Sequence, residues 1–138
     1  KIMIYEKETY HFLFLHFPIA LFIIGYLYTF LAFFLKDDTF HKFGFWNLGL
    51  GILFGIFSII TGFITDNEIM GHMDNPLPVW TTHGTHMIVS ILLFIIFFIF
   101  KIYFRKFIKE KYFLFMHTLL LLFFIHGTHI GAKLADRI

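Results

Sequence analysis

Four stretches of this chain are apolar for about 20 residues at a time, which is the length a helix needs to cross the hydrocarbon core of a bilayer. They run from about Phe12 to Leu35, Phe45 to Thr65, Thr85 to Phe104 and Phe113 to Ala132. Lipid offers no partner for backbone N–H and C=O groups, so each stretch must satisfy its own, and a helix does so. Pro18 alone interrupts a stretch. It lies in the first turns of the first stretch, where a missing N–H costs least. The first stretch is too long for a cleavable leader and is read as a span.

Composition supports lipid as the solvent. The 138 residues are 59% hydrophobic and 14% charged, with a mean hydropathy of +0.80, whereas soluble domains are about 25% charged. Phe occurs 23 times and, with Ile, dominates each apolar run. A net charge of +2 and the lack of a basic, aromatic-interleaved stripe exclude nucleic acid as a partner. Cysteine is absent, which excludes disulfides, iron–sulfur clusters, thiolate zinc and covalently attached c-type haem. Any metal must be held by His, Asp, Glu or Met.

The links between spans are Lys36 to Gly44, Asp66 to Gly84 (with Pro76 and Pro78) and a stretch within Lys101 to Tyr112. Short links make sequence neighbours antiparallel neighbours in space. The expected fold is a single all-α domain over residues 1–138, an up-down four-helix transmembrane bundle with both termini on one side. Lys36, Lys42, Lys101, Arg105, Lys106, Lys109 and Lys111 flank the two short links, against Lys1, Lys7, Lys133 and Arg137 on the termini side. This bias puts the short links in the cytoplasm and both termini in the periplasm of a bacterial inner membrane. Gly51, Gly55, Ser58 and Gly62 recur at helical spacing along the second span, and Gly127 and Gly131 along the fourth. Small residues so placed let helices approach closely, and beside His126 and His129 they could also leave room for the edge of a porphyrin.

Six of the nine histidines fall at one depth. His16, His83, His86, His126 and His129 sit at span ends on the termini side, and His11 one step outside. Polar side chains in lipid are costly and mark function. Imidazoles gathered at one level from several helices point to a bound metal, most simply iron in a b-type haem held by two axial histidines. His83 and His86 share a helix face, as do His126 and His129. His86 is the first candidate axial ligand, paired with His16 across the bundle diagonal or with His129 on the adjacent helix. His83, His126 and Asp66 are alternative ligands or hydrogen-bond partners that orient a ligand. Lys133, Arg137, Trp80, Thr81 and Thr82 lie where haem propionates would emerge. His117 is the only deeper histidine and has no partner at its level, so one haem is expected, with two side by side as the alternative. His41 and His72 are expected to be solvated loop residues, and Met87 to serve in packing.

His16-Phe17-Pro18-Ile19-Ala20-Leu21 opens the first span and Thr61-Gly62-Phe63-Ile64-Thr65-Asp66 closes the second. His86 opens the third, and His129-Ile130-Gly131-Ala132-Lys133-Leu134 ends the fourth. This order resembles the bacterial membrane proteins of the domain-of-unknown-function 2231 family, over nearly the whole chain. The opening His-Phe-Pro-Ile-Ala-Leu is the specific part. Ala132 and Lys133 depart from that family's closing Gly-Gly and acidic residue. The resemblance implies four spans and picks out His16, His86 and His129, but carries little chemistry.

The reading these features support is a small b-type cytochrome subunit. It would carry electrons between membrane quinol and a periplasmic redox partner, as a subunit of a larger complex rather than a stand-alone enzyme. Its rivals are a non-redox membrane anchor or assembly subunit, and a histidine-based copper or zinc site. Transport is disfavoured by the lack of broken helices and paired intramembrane charges, and hydrolysis by the lack of a nucleophile–base set.

Overall fold

The computed structural model describes residues 7–65 and 77–134. Four helices account for most of them: α1 (Lys7–Leu35), α2 (Asp38–Thr65), α3 (His83–Phe104) and α4 (Glu110–Leu134). No strand occurs among the described residues. All four are long and apolar enough to cross a membrane. Their outer faces carry residues such as Leu27, Phe34, Trp46, Ile96, Tyr103 and Leu122, each more than half exposed. Such surfaces suit lipid rather than water.

Three helices end where the apolar runs end, at Leu35, Thr65 and Phe104. Their beginnings reach further out than hydropathy indicates, because polar first turns project beyond the lipid. The clearest case is α2. The expected link of Lys36 to Gly44 shrinks to Lys36 and Asp37. Lys36 takes a left-handed conformation, with φ of 54°, and its N–H closes α1 on the Ala32 carbonyl at 2.9 Å. The Asp37 carboxylate then accepts the Thr39 N–H at 2.7 Å, capping α2. That bond and the Thr39 hydroxyl hold the Asp37 carboxyl below the usual carboxylate range. At the opposite end, the N–H groups of Thr81 and Thr82 both reach the Pro78 carbonyl at 3.2 Å and lead the chain into α3.

The helices pack as a ring, α1 on α2, α2 on α3, α3 on α4 and α4 on α1, which leaves α1 and α3 on one diagonal. The glycines of α2 are spent on this packing. A Cβ at Gly44 would lie 2.9 Å from Thr29 Oγ1, at Gly51 2.6 Å from Phe22 Cε1, and at Gly55 2.4 Å from Ile91 Cδ1. The small-residue stripe therefore faces the bundle interior. Midway along the bundle, Phe22 stacks on Phe94 at 4.0 Å, and Phe124 meets the Phe22 ring edge-on at 5.0 Å. All three are fully buried. This aromatic layer divides the interior into a termini end and a link end, and both ends hold polar groups.

Candidate functional site

Above the aromatic layer, towards the termini end, the helices enclose a cavity of about 640 Å³, within the range of small-molecule and cofactor sites. Side-chain size explains why it is there. Gly55, Ser58 and Gly62 of α2, Gly84 of α3, and Gly131 and Ala132 of α4 line it, where larger residues would fill it. Ile91 and Phe124 form its floor, and His11, His16, His83 and His129 supply its polar wall.

Three of these imidazoles are held in the same manner. His83 Nδ1 lies 2.9 Å from the Gly127 carbonyl, and His16 Nδ1 is bonded to the Phe12 carbonyl one turn earlier. A carbonyl oxygen only accepts, so each neutral ring carries its proton at Nδ1 and keeps a lone pair at Nε2. His11 Nδ1 lies 3.2 Å from Thr61 Oγ1. The Thr61 hydroxyl proton is already given to the Phe57 and Ser58 carbonyls at 3.0 and 3.1 Å, so the histidine donates here too. Fixing one ring nitrogen in this way is how proteins present the other to a metal.

The glycines of α4 seat the imidazoles of α3. A Cβ at Gly131 would fall 2.4 Å from His83 Cε1, and one at Gly127 would fall 2.4 Å from His86 Cδ2. The open helix face beside His126 and His129 thus receives side chains from the neighbouring helix.

The histidine level divides into two groups. His11, His16, His83 and His129 line the cavity, with His16 and His129 exposed and His11 and His83 partly buried. His86 and His126 do not line it. His86 is fully buried between α3 and α4, its Nδ1 3.2 Å from the Val79 carbonyl and its Nε2 2.8 Å from the Phe123 carbonyl. Its ring stacks on Phe123 at 4.0 Å. Both partners only accept and a neutral imidazole has one N–H, so the ring donates to one of the two carbonyls at a time, and His86 does not line the cavity. His126 is exposed and meets the His86 ring edge-on at 5.3 Å. Among the propionate candidates, Thr81 and Thr82 line the cavity. Trp80 and Lys133 are exposed and do not, Trp80 resting edge-on against Phe123 at 6.0 Å. Asp66, His72 and Arg137 lie outside the described residues. Among the described residues no group of three or more His, Asp or Glu side chains could hold a bare metal ion.

Two residues at the link end differ from expectation. His41 belongs to α2 rather than to a loop and is only 7% exposed, its Nε2 2.6 Å from a Glu110 carboxylate oxygen. Lys101, counted above among the link charges, points into the bundle and is 5% exposed. Six link-side Lys and Arg residues remain without it, still more than the four on the termini side. His11 was placed one step outside the span and instead lines the cavity. The signal that could have found it is Thr61, its partner, which stands beside Gly62 in the motif closing the second span.

These features define a class: a four-helix, membrane-spanning bundle with a histidine-lined cavity near the end that bears its termini. A family model described as a predicted membrane protein, DUF2231, matches residues 7–138, and the chain belongs to that family. No curated protein and no solved structure matches the chain.

Proposed function

We propose that the cavity holds one b-type haem and that the protein is a small membrane cytochrome. The observation that carries this reading is the pair His16 and His83. They stand on diagonal helices, line one cavity of cofactor size, and each has Nδ1 fixed by a backbone carbonyl so that Nε2 is left for iron. His129, at the rim on α4, is the alternative partner. In this assignment His86 positions α3 against α4 and does not bind iron. The Gly-lined walls accept a flat macrocycle, while Thr81 and Thr82 offer hydroxyls to its carboxylates. Haem would supply one-electron chemistry there, held by His16 and His83, whose rings are fixed by the Phe12 and Gly127 carbonyls. The histidine set suits haem, which needs two protein ligands, better than bare copper or zinc, for which three donors do not gather among the described residues.

The excess of Lys and Arg at the link end supports a cytoplasmic placement of that end in a bacterial inner membrane. The cavity then opens towards the periplasm, where it could exchange electrons between quinol and a periplasmic redox subunit. Absorption spectra of purified variants test the ligand assignment. His16→Ala and His83→Ala should each lose the low-spin Soret band, and His86→Phe should keep it. A band retained in His83→Ala and lost in His86→Phe overturns the assignment.

A further inference from the structure

The charge at the link end is not evenly spread. The α1–α2 link and the first turns of α2 carry Lys36 and Lys42 against Asp37 and Asp38, which cancel. The turn from α3 into α4 carries Arg105, Lys106, Lys109 and Lys111 against Glu110 alone. The carboxylates nearest to it are engaged elsewhere. Glu110 turns onto His41 at 2.6 Å, and Asp38 reaches from α2 to Arg105 at 3.0 Å. Lys106, Lys109 and Lys111 are exposed, and among the described residues no carboxylate pairs with them. Lys101 points inward, its Nζ without a hydrogen-bond partner, and lies apart from this surface.

The turn itself has a fixed shape. The N–H groups of Phe107 and Ile108 both reach the Phe104 carbonyl, at 2.9 and 3.1 Å, and the Tyr112 N–H reaches the Lys109 carbonyl at 3.0 Å. Ile108 packs against the buried core. Phe107 is left pointing outward, 81% exposed, flanked in sequence by Lys106 and Lys109. Tyr103 and Tyr112 are exposed at the adjoining helix ends, and Lys111 Nζ lies over the Tyr112 ring at 5.1 Å. An aromatic ring so exposed at the end of two spans belongs at the boundary of acyl chains and headgroups. Ammonium groups held at that depth stand level with lipid phosphates. A soluble anion satisfies the lysines and leaves Phe107 and Tyr103 uncovered, whereas a phospholipid serves both.

We propose that the α3–α4 turn is a binding site for an anionic phospholipid, whose phosphodiester sits among Lys106, Lys109 and Lys111 and whose acyl chains lie along Phe107 and Tyr103. Bound lipid ties the ends of α3 and α4 to one leaflet and fixes the depth of these two spans. The lipid comes from whichever leaflet faces the link end, so the site depends neither on the haem reading nor on the orientation of the bundle. Each lysine near a membrane surface strengthens attachment to anionic lipid about fivefold. Lys36 and Lys42 add little, because Asp37 and Asp38 stand beside them.

The test is lipid selectivity. Full-length protein is reconstituted in vesicles of equal phosphatidylglycerol and phosphatidylcholine and extracted in mild detergent, and the lipid retained per chain is measured by mass spectrometry. The unmodified protein should retain phosphatidylglycerol over phosphatidylcholine by about tenfold or more. Lys106→Gln combined with Lys109→Gln should remove most of that preference. Lys36→Gln combined with Lys42→Gln, an equal loss of charge, should leave it within about twofold. All four side chains are exposed, so both variants fold, which helical circular dichroism checks. Soluble glycerol phosphate should not displace the lipid. Equal retention of the two lipids overturns the proposal. So does an equal loss of preference in the two double variants, which would mean a diffuse field rather than a site. Displacement by glycerol phosphate would make the ligand a free phosphate ester and overturn the assignment to lipid.

Discussion

Replacing Gly131 with Ala separates the cavity's histidine geometry from the stability of the bundle. The new Cβ would lie 2.4 Å from His83 Cε1, 2.7 Å from Nδ1 and 2.8 Å from Nε2. Relieving that contact to an ordinary 3.4 Å moves the ring edge by about 1 Å. Such a shift breaks the 2.9 Å bond from Nδ1 to the Gly127 carbonyl. A lost hydrogen bond costs about 0.5–1.5 kcal/mol, and forced overpacking about 1–3 kcal/mol. His83 has the cavity to swing into, so the overpacking cost stays at the low end and the total comes to about 1.5–2.5 kcal/mol. Gly51→Ala provides the contrast. Its Cβ would lie 2.6 Å from Phe22 Cε1, and Phe22 is fully buried between Phe94 and Phe124 and has nowhere to go. That variant should cost about 3 kcal/mol or more. Denaturant unfolding in detergent, followed by circular dichroism, measures both. Gly131→Ala should also weaken haem uptake in spectroscopic titration. A Gly131→Ala protein less stable than Gly51→Ala, or one that binds haem as the unmodified protein does, would refute the reasoning.

Three further outcomes follow from the same structure. His86→Phe keeps the stacking on Phe123 but removes the ring N–H that reaches the Val79 or the Phe123 carbonyl, and should lower stability by about 1–3 kcal/mol in the same unfolding assay. Lys101→Met removes a buried ammonium without a partner and should leave thermal stability equal or higher; a fall of several degrees would mean that Lys101 is paired. The Asp37 carboxyl is held below its usual range by Thr39. Its contribution should be complete at neutral pH and lost as pH falls through its folded-state value, so the melting-temperature gap between the unmodified protein and Asp37→Ala should close in acid.

Much of the fold was legible because lipid leaves a chain few options. Twenty-residue apolar runs and short links give four antiparallel helices before any packing is known. The C-terminal ends of α1, α2 and α3 coincide with the ends of those runs, where hydropathy changes abruptly. The start of α2 was hidden because Asp38-Thr39-Phe40-His41 reads as a polar link, and only the cap at Asp37 shows that the helix begins there. The histidine level was legible as a depth, since depth follows from position along a span. Which imidazoles face the cavity was not, because that depends on helix rotation and on which glycine faces which ring. His83 and His86 share a helix face, yet Gly131 brings one to the cavity wall and Gly127 seats the other between α3 and α4. Lys101 and His41 were misread for a related reason. Charge suggests solvent, and their burial rests on cross-helix neighbours that a linear pattern does not contain.

The central claim is that this bundle carries haem between His16 and His83, and the most direct measurement is the haem content of protein purified from cells supplied with a haem precursor. The account predicts one b-type haem per chain, a Soret band that shifts on reduction, and low-spin iron with two axial imidazoles. Colourless protein with an intact helical spectrum, unable to take up added haem, would contradict it.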